Sequence, residues 1–229
     1  MAPRNLYHSD TEAQCRTNRL LLCSVLYQSV IKSVETLCDV EMRGEFAILR
    51  LISTDGTNRL TRARVAALTA TIENLAQSPP TRLVITGNTH FFSAGADLHE
   101  IAELHGSEAF RFAQIGQRLM NAVANFPVPT IAAVHGYCMG GGLDLALACR
   151  RRIAGPHAIF GHRGAALGLI TGWGGTQRLP RLVGKALALQ MFLAAEKLHA
   201  YDALRYRLVD AVADDPLAAA LAFSAASAS

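Results

Sequence analysis

Three consecutive glycines, Gly140-Gly141-Gly142, constrain this chain more than any other feature. An apolar run, Pro129-Thr130-Ile131-Ala132-Ala133-Val134, precedes them and reads as a buried strand. A turn, Gly136-Tyr137-Cys138-Met139, connects the two. After the glycines, Leu143-Asp144-Leu145-Ala146-Leu147 begins a helix. Glycine lets a backbone approach a ligand closely. The first turn of the new helix leaves N–H groups unpaired and carries the positive end of the dipole. That geometry suits an anion or an oxygen on which charge develops. A plain strand-to-helix turn would look the same in sequence.

A second segment breaks the tie. Leu83-Val84-Ile85-Thr86-Gly87 is another buried-type strand, followed by His90-Phe91-Phe92-Ser93-Ala94-Gly95-Ala96-Asp97-Leu98. One backbone N–H from each of the two turns would make a two-donor hole. The segment Phe92-Ser93-Ala94-Gly95-Ala96-Asp97 fits the pattern F-x-A-G-A-D. Gly136 through Ala146 fits G-x-x-x-G-G-G-x-[ED]-L-A. Gly168-Leu169-Ile170-Thr171-Gly172-Trp173-Gly174-Gly175-Thr176-Gln177-Arg178-Leu179-Pro180-Arg181 appears where the pattern reads G-x-x-P-x-x-G-G-T-Q-R-L-P-R. Three ordered motifs of this kind resemble the crotonase family, the enoyl-CoA hydratase/isomerase superfamily. The resemblance runs from about Phe46 to Val212.

The resemblance implies an α/β fold: a spiral of ββα units surrounded by helices, with the C-terminal helical subdomain shortened or missing. It implies an acyl-CoA thioester substrate whose carbonyl sits between the N–H groups of Ala96 and Gly141. It places Ala94, Asp97, Gly140, Gly164 and Trp173 at the substrate. Coenzyme A then enters as part of the substrate, with no permanently bound cofactor. A homotrimer or dimer of trimers is the implied assembly.

The acid/base positions depart from the family. A family hydratase uses two glutamates, the first two residues after the triple glycine and the second three residues after a Phe-Gly pair. Asp144 stands at the first place and Gly164 at the second. Aspartate keeps a carboxylate but is one methylene shorter. Gly164 offers no side chain for proton transfer. If the stretch after Phe160-Gly161 is extended, His162 faces the same way as position 164 and becomes a candidate acid/base, or a packed pocket residue. The catalytic candidates are therefore Asp144 and His162. Two readings stay open: an enoyl-CoA hydratase/isomerase-like enzyme in which efficient hydration is doubtful, and a non-catalytic acyl-CoA-binding or assembly protein.

Composition narrows the rest. A 51% hydrophobic content over 229 residues suits one large domain. We expect an N-terminal extension over 1–40, helical from Thr17 to Leu37, and the family-like domain over 41–229. No apolar run reaches the ~18 residues of a membrane span, and Asp10 and Glu12 do not read as part of a secretory signal. Five cysteines form no metal-type spacing and suit a reducing, cytoplasmic setting. No dinucleotide fingerprint, phosphate loop or metal-ligand cluster is visible. Between Asp144 and Glu196 lie Arg150, Arg151, Arg152, Arg163, Arg178, Arg181 and Lys185 without an acid among them. They read as a solvated face or as attractors of coenzyme A phosphates, and without aromatic interleaving they do not suggest nucleic acid.

Overall fold

Short apolar runs form the strands at the centre of the main sheet. The structure, a computed structural model, describes residues 37–223. The helix expected from Thr17 lies outside the described residues but for its last residue. Six strands make the main sheet in the order β1-β2-β3-β5-β7-β10: β1 (Cys38–Arg43), β2 (Phe46–Leu51), β3 (Arg82–Thr86), β5 (Thr130–Val134), β7 (Arg151–Ala154) and β10 (Ala211–Val212). Only β1 runs antiparallel to its neighbour. A second sheet is built from β4 (Phe91–Ser93), β6 (Tyr137–Met139), β8 (Ile159–Gly161) and β9 (Lys197–His199), in that order.

The two sheets fill alternately along the chain. β3 leads to β4, β5 to β6 and β7 to β8, and helical structure follows each second-sheet strand. This is the expected spiral of ββα units. The helices are α1 (Arg62–Leu75), α2 (Leu98–Ala102), α3 (Ser107–Ala124), α4 (Gly141–Ala148), α5 (Gly175–Val183), α6 (Lys185–Leu193), α7 (Ala200–Arg205) and α8 (Pro216–Ala222). After β10 the described chain holds one seven-residue helix.

Strand alternation divides the interior. Leu83, Ile85, Ala132, Val134 and Ala154 enter the larger core, while Val84, Ile131, Ala133 and Ile153 turn to the other face and pack with Ala220 of α8. The Arg82 guanidinium fastens α8 by donating to the Ala220 and Leu221 carbonyls at 2.9 and 2.8 Å. In α3 the buried residues Phe112, Gly116, Leu119, Met120 and Val123 keep helical spacing. α1 starts where Thr61 caps the Arg64 N–H. All of α4 is buried, which suits its apolar composition and its place between the sheets and α3.

The arginine run is structural in part. Arg152 is buried and donates from Nε to Leu208 O at 2.7 Å and from Nη1 to Cys149 O at 2.8 Å. It thereby satisfies the Cys149 carbonyl at the C-terminal end of α4 and ties it to the segment before β10. Arg151 pairs with Asp210 at 2.6 Å. The acid that offsets the run thus comes from beyond Glu196, and neither side chain is a free attractor for a phosphate.

Candidate active site

Two turns meet at the wall of one cavity. The first, residues 94–97, links β4 to α2. The segment at 57–60 holds it along its length. Ala94 N–H donates to Thr57 O at 2.9 Å, Leu60 N–H to Gly95 O at 2.8 Å, and Asp97 N–H to Leu60 O at 3.4 Å. Gly95 N–H donates to Ser93 Oγ at 3.1 Å. Asn58, fully buried, braces the strand before it, donating to the Phe91 and Phe92 carbonyls at 3.0 and 3.2 Å. Of the four amides in the turn, only Ala96 N–H has no acceptor among the described residues.

The second turn opens α4. Gly140 N–H donates to Gly161 O at 2.9 Å, and Asp144 N–H donates to Gly140 O at 3.0 Å. Gly141 N–H, between them, has no acceptor among the described residues. A Cβ built on Gly141 would lie 3.3 Å from Ala96 N, and one built on Gly95 would lie 3.1 Å from Gly141 N. The two unpaired amides are therefore neighbours. Gly95 (φ +96°) and Gly140 (φ +50°) adopt conformations that side chains disfavour, which is what permits the approach.

Both turns line a cavity of about 890 Å³, within the usual range for a small-molecule site. Ala94, Ala96, Gly140, Gly141, Asp144, His162, Gly164 and Trp173 all border it. Among the described residues, Asp144 is the one acid of that lining. Asp97, expected at the substrate, is absent from it. Its carboxylate instead caps α2, accepting from His99 N–H at 2.9 Å and Glu100 N–H at 3.1 Å, with Arg59 at 3.6 Å. Burial raises the Asp97 carboxyl, and these donors outweigh it, so the net shift is downward. Trp173 lies against Phe112, with ring centroids 5.3 Å apart, and donates to Phe112 O.

Asp144 projects from the first turn of α4 and is fully buried. Its Oδ2 accepts from the Thr171 hydroxyl. Its Oδ1 lies 3.4 Å from His162 Nε2, and neither of these buried atoms has a hydrogen-bond partner. Burial pushes the Asp144 carboxyl up to about 7, against the pull of the Thr171 hydrogen bond and the Arg178 charge. Burial holds the His162 imidazole down to about 4. With the carboxyl raised and the imidazole lowered, the contact joins a readily protonated carboxyl to a neutral ring and is not a salt bridge. Such unsatisfied buried atoms are rare in a plain core and typical of a working site.

Gly164 corrects the expected geometry. The chain is extended only to Gly161; Gly164–Leu167 is a 3-10 turn, closed by Leu169 N–H donating to Gly164 O at 2.8 Å. Positions 162 and 164 therefore do not share one face of a strand. Thr171 was missed by sequence reasoning, although threonine in place of the family's proline was the visible signal. Among the described residues, no group of three or more His, Cys, Asp or Glu side chains could hold a metal ion. No described helix is long and apolar enough to cross a membrane.

The model of the family described as Enoyl-CoA hydratase/isomerase matches residues 44–222. The chain belongs to that family. It is 46% identical over 134 residues to a Bacillus subtilis (strain 168) protein described as a probable enoyl-CoA hydratase, covering 58% of this chain and 52% of the relative. It is 37% identical over 192 residues to the mitochondrial methylglutaconyl-CoA hydratase of Rattus norvegicus, covering 81% of this chain and 61% of that one. The chain thus spans between half and two thirds of these relatives' length. The solved structure of DspI from Pseudomonas aeruginosa superimposes with a TM-score of 0.78 at 38% identity, covering 82% of this chain and 78% of that one.

Proposed function

We propose that this chain is an acyl-CoA thioester enzyme that stabilises an enolate between the Ala96 and Gly141 amides and moves protons with one carboxylate, Asp144. The observation that carries the reading is the pair of neighbouring, unpaired N–H groups on the wall of a cavity whose lining holds a single acid. The thioester carbonyl oxygen accepts from both amides. As the bond from the α-carbon to hydrogen breaks, its electron pair moves onto that oxygen and Asp144 takes the proton. Each such donor contributes about 2.7–4 kcal/mol to the transition state. A base whose pKa lies near the working pH is best placed for the transfer.

This machinery favours proton relocation over hydration. For a β,γ-unsaturated acyl chain, returning the proton to the γ-carbon moves the double bond and consumes no water. Hydration also needs an activated water, and Gly164 brings no carboxylate. His162, neutral at pH 7, lies 3.4 Å from Oδ1 and brings it no positive charge. Coenzyme A is a part of the substrate, and no permanent cofactor takes part.

The test is proton exchange at the α-carbon of butyryl-CoA in heavy water, followed by NMR, beside hydration of crotonyl-CoA. The expected result is exchange that Asp144→Asn abolishes, with hydration far below the ~10²–10³ per second of a fast enzyme. Hydration at such a rate overturns the reading of Gly164. Calorimetric binding of butyryl-CoA without exchange or turnover of any thioester supports the second reading instead, a non-catalytic acyl-CoA-binding or assembly protein. The tight packing at Gly164 favours that alternative. A cytoplasmic homotrimer or dimer of trimers is part of the same proposal. The free Cys38, Cys138 and Cys149 and the exposed Leu189 and Leu193 on α6 support it, and light scattering tests the assembly.

A further inference from the structure

We propose that Thr171 is a positioning residue for Asp144, anchoring Oδ2 so that only Oδ1 is left to handle a proton. The inference rests on Asp144 as the base of the proposed reaction.

Two departures from the family pattern meet in space here. Asp144 stands where the pattern has glutamate in hydratases, and Thr171 stands where it has proline. Proline has no hydroxyl. The aspartate is one methylene shorter, and the Thr171 hydroxyl reaches its Oδ2. A third group bears on the direction of that bond. Trp173 N–H donates to Thr171 Oγ1 at 3.4 Å, which occupies a lone pair and leaves the hydroxyl proton for Asp144. Oδ1 is held apart from any donor, against the backbone of Gly175. A Cβ on Gly175 would lie 2.1 Å from Oδ1 and 3.1 Å from His162 Nε2. The missing side chain at 175 is what leaves room for the two unpartnered atoms.

A hydroxyl donating to a buried carboxylate favours its ionised form. The other groups facing Asp144 do not duplicate this. His162, at the end of β8, is neutral at working pH. The Cys138 thiol on β6 is held protonated by burial. Arg178 on α5 favours the ionised form from a distance, its own guanidinium being engaged with Trp173 O and Asn121 Oδ1. Thr171 alone touches the carboxylate as a donor.

The test needs no turnover. Protein carrying ¹³C at aspartate carboxyls is titrated by NMR, with the Asp144 signal assigned by its loss in Asp144→Asn. In Thr171→Val the Asp144 midpoint is expected to rise by about one to two pH units, and in Thr171→Ser to return to the wild-type value. If the valine variant fails to fold, Thr171→Cys, a weaker donor, replaces it and is expected to give an intermediate midpoint. An Asp144 midpoint unchanged in Thr171→Val, or in Thr171→Cys, overturns the proposal. Butyryl-CoA exchange then separates the two layers. A shifted midpoint with a matching shift in the pH profile of exchange and an unchanged KM supports both. A shifted midpoint with no exchange in the wild type supports the anchoring and removes the base role of Asp144.

Discussion

The carbonyl oxygen of Leu169 stands 2.7 Å from the point that a Cβ on Gly164 would occupy. The 3-10 turn at 164–167 folds the chain back on itself, so position 164 has no room for a side chain unless that carbonyl moves.

Placing a glutamate there is therefore expected to fail. Gly164→Glu forces the Leu169 backbone to move and gains no hydration of crotonyl-CoA. Gly164→Ala alone costs about 1–3 kcal/mol, the usual scale of overpacking. Urea unfolding of Gly164→Ala checks the stability. Crotonyl-CoA hydration by Gly164→Glu, well above the wild-type rate, would count against the packing argument.

Gly95→Ala should disable the paired amides. The new methyl would sit 2.7 Å from Met139 O and 3.1 Å from Gly141 N, on a residue at φ +96°. Loss of one oxyanion donor lowers turnover about 10²–10³-fold. The expected outcome is a fall of that size in butyryl-CoA exchange, with strain lowering the melting temperature. Full activity in this variant would place the reacting oxygen elsewhere.

The Asp144 and His162 contributions to the pH dependence of stability should nearly cancel across the mildly acidic range, because they are opposed in sign. The Asp144 carboxyl is raised from 3.8 to about 7 by burial, so its share of stability is lost as pH rises through that window. The His162 ring is lowered from 6.5 to about 4, so its share is lost as pH falls through its own window. Between about 4 and 6.5 the slopes have opposite sign and similar size. Asp144→Asn removes one of them, and its unfolding free energy should then rise by about 3 kcal/mol from pH 4 to 6.5. Denaturant titrations at four or five pH values test this, and a flat profile in the variant refutes it.

Arg152→Met should weaken the fold and spare the chemistry. It strips a donor from the Leu208 and Cys149 carbonyls and a charge from the side of Asp210. Breaking a buried ionic group's contacts typically costs about 3–5 kcal/mol. Differential scanning calorimetry should register the loss, while the pH profile of proton exchange stays in place.

β3 and β5 of the main sheet were legible because they hold unbroken apolar runs, Leu83–Ile85 and Ile131–Val134, whereas β1 with Asp39, Glu41 and Arg43 and β7 with Arg151 and Arg152 show none. The second sheet was not legible. Tyr137–Met139 is a three-residue strand, too short to show a period, and it reads as a turn. Both amide-bearing turns could be found from glycine and small-residue patterns, since only such residues permit the approach. The capping role of Asp97 was visible as an acid just before a helix start, yet the motif drew it toward the substrate. The arginine run misled because sequence does not say that Arg152 turns inward to bind carbonyls near the end of α4. Gly168, left-handed at φ +68°, was the local sign that the chain after Gly161 does not stay extended.

The brace beneath Ala96 has a consequence for where evolution or design can tune this molecule. Asn58 lies nearly forty positions upstream and is not among the residues lining the cavity, yet it and its neighbours fix the aim of the Ala96 amide. A ligand therefore meets a rigid donor and spends none of its affinity on ordering it. Changes in the loop around Asn58 should alter catalytic speed while leaving untouched every side chain that a bound acyl group can feel.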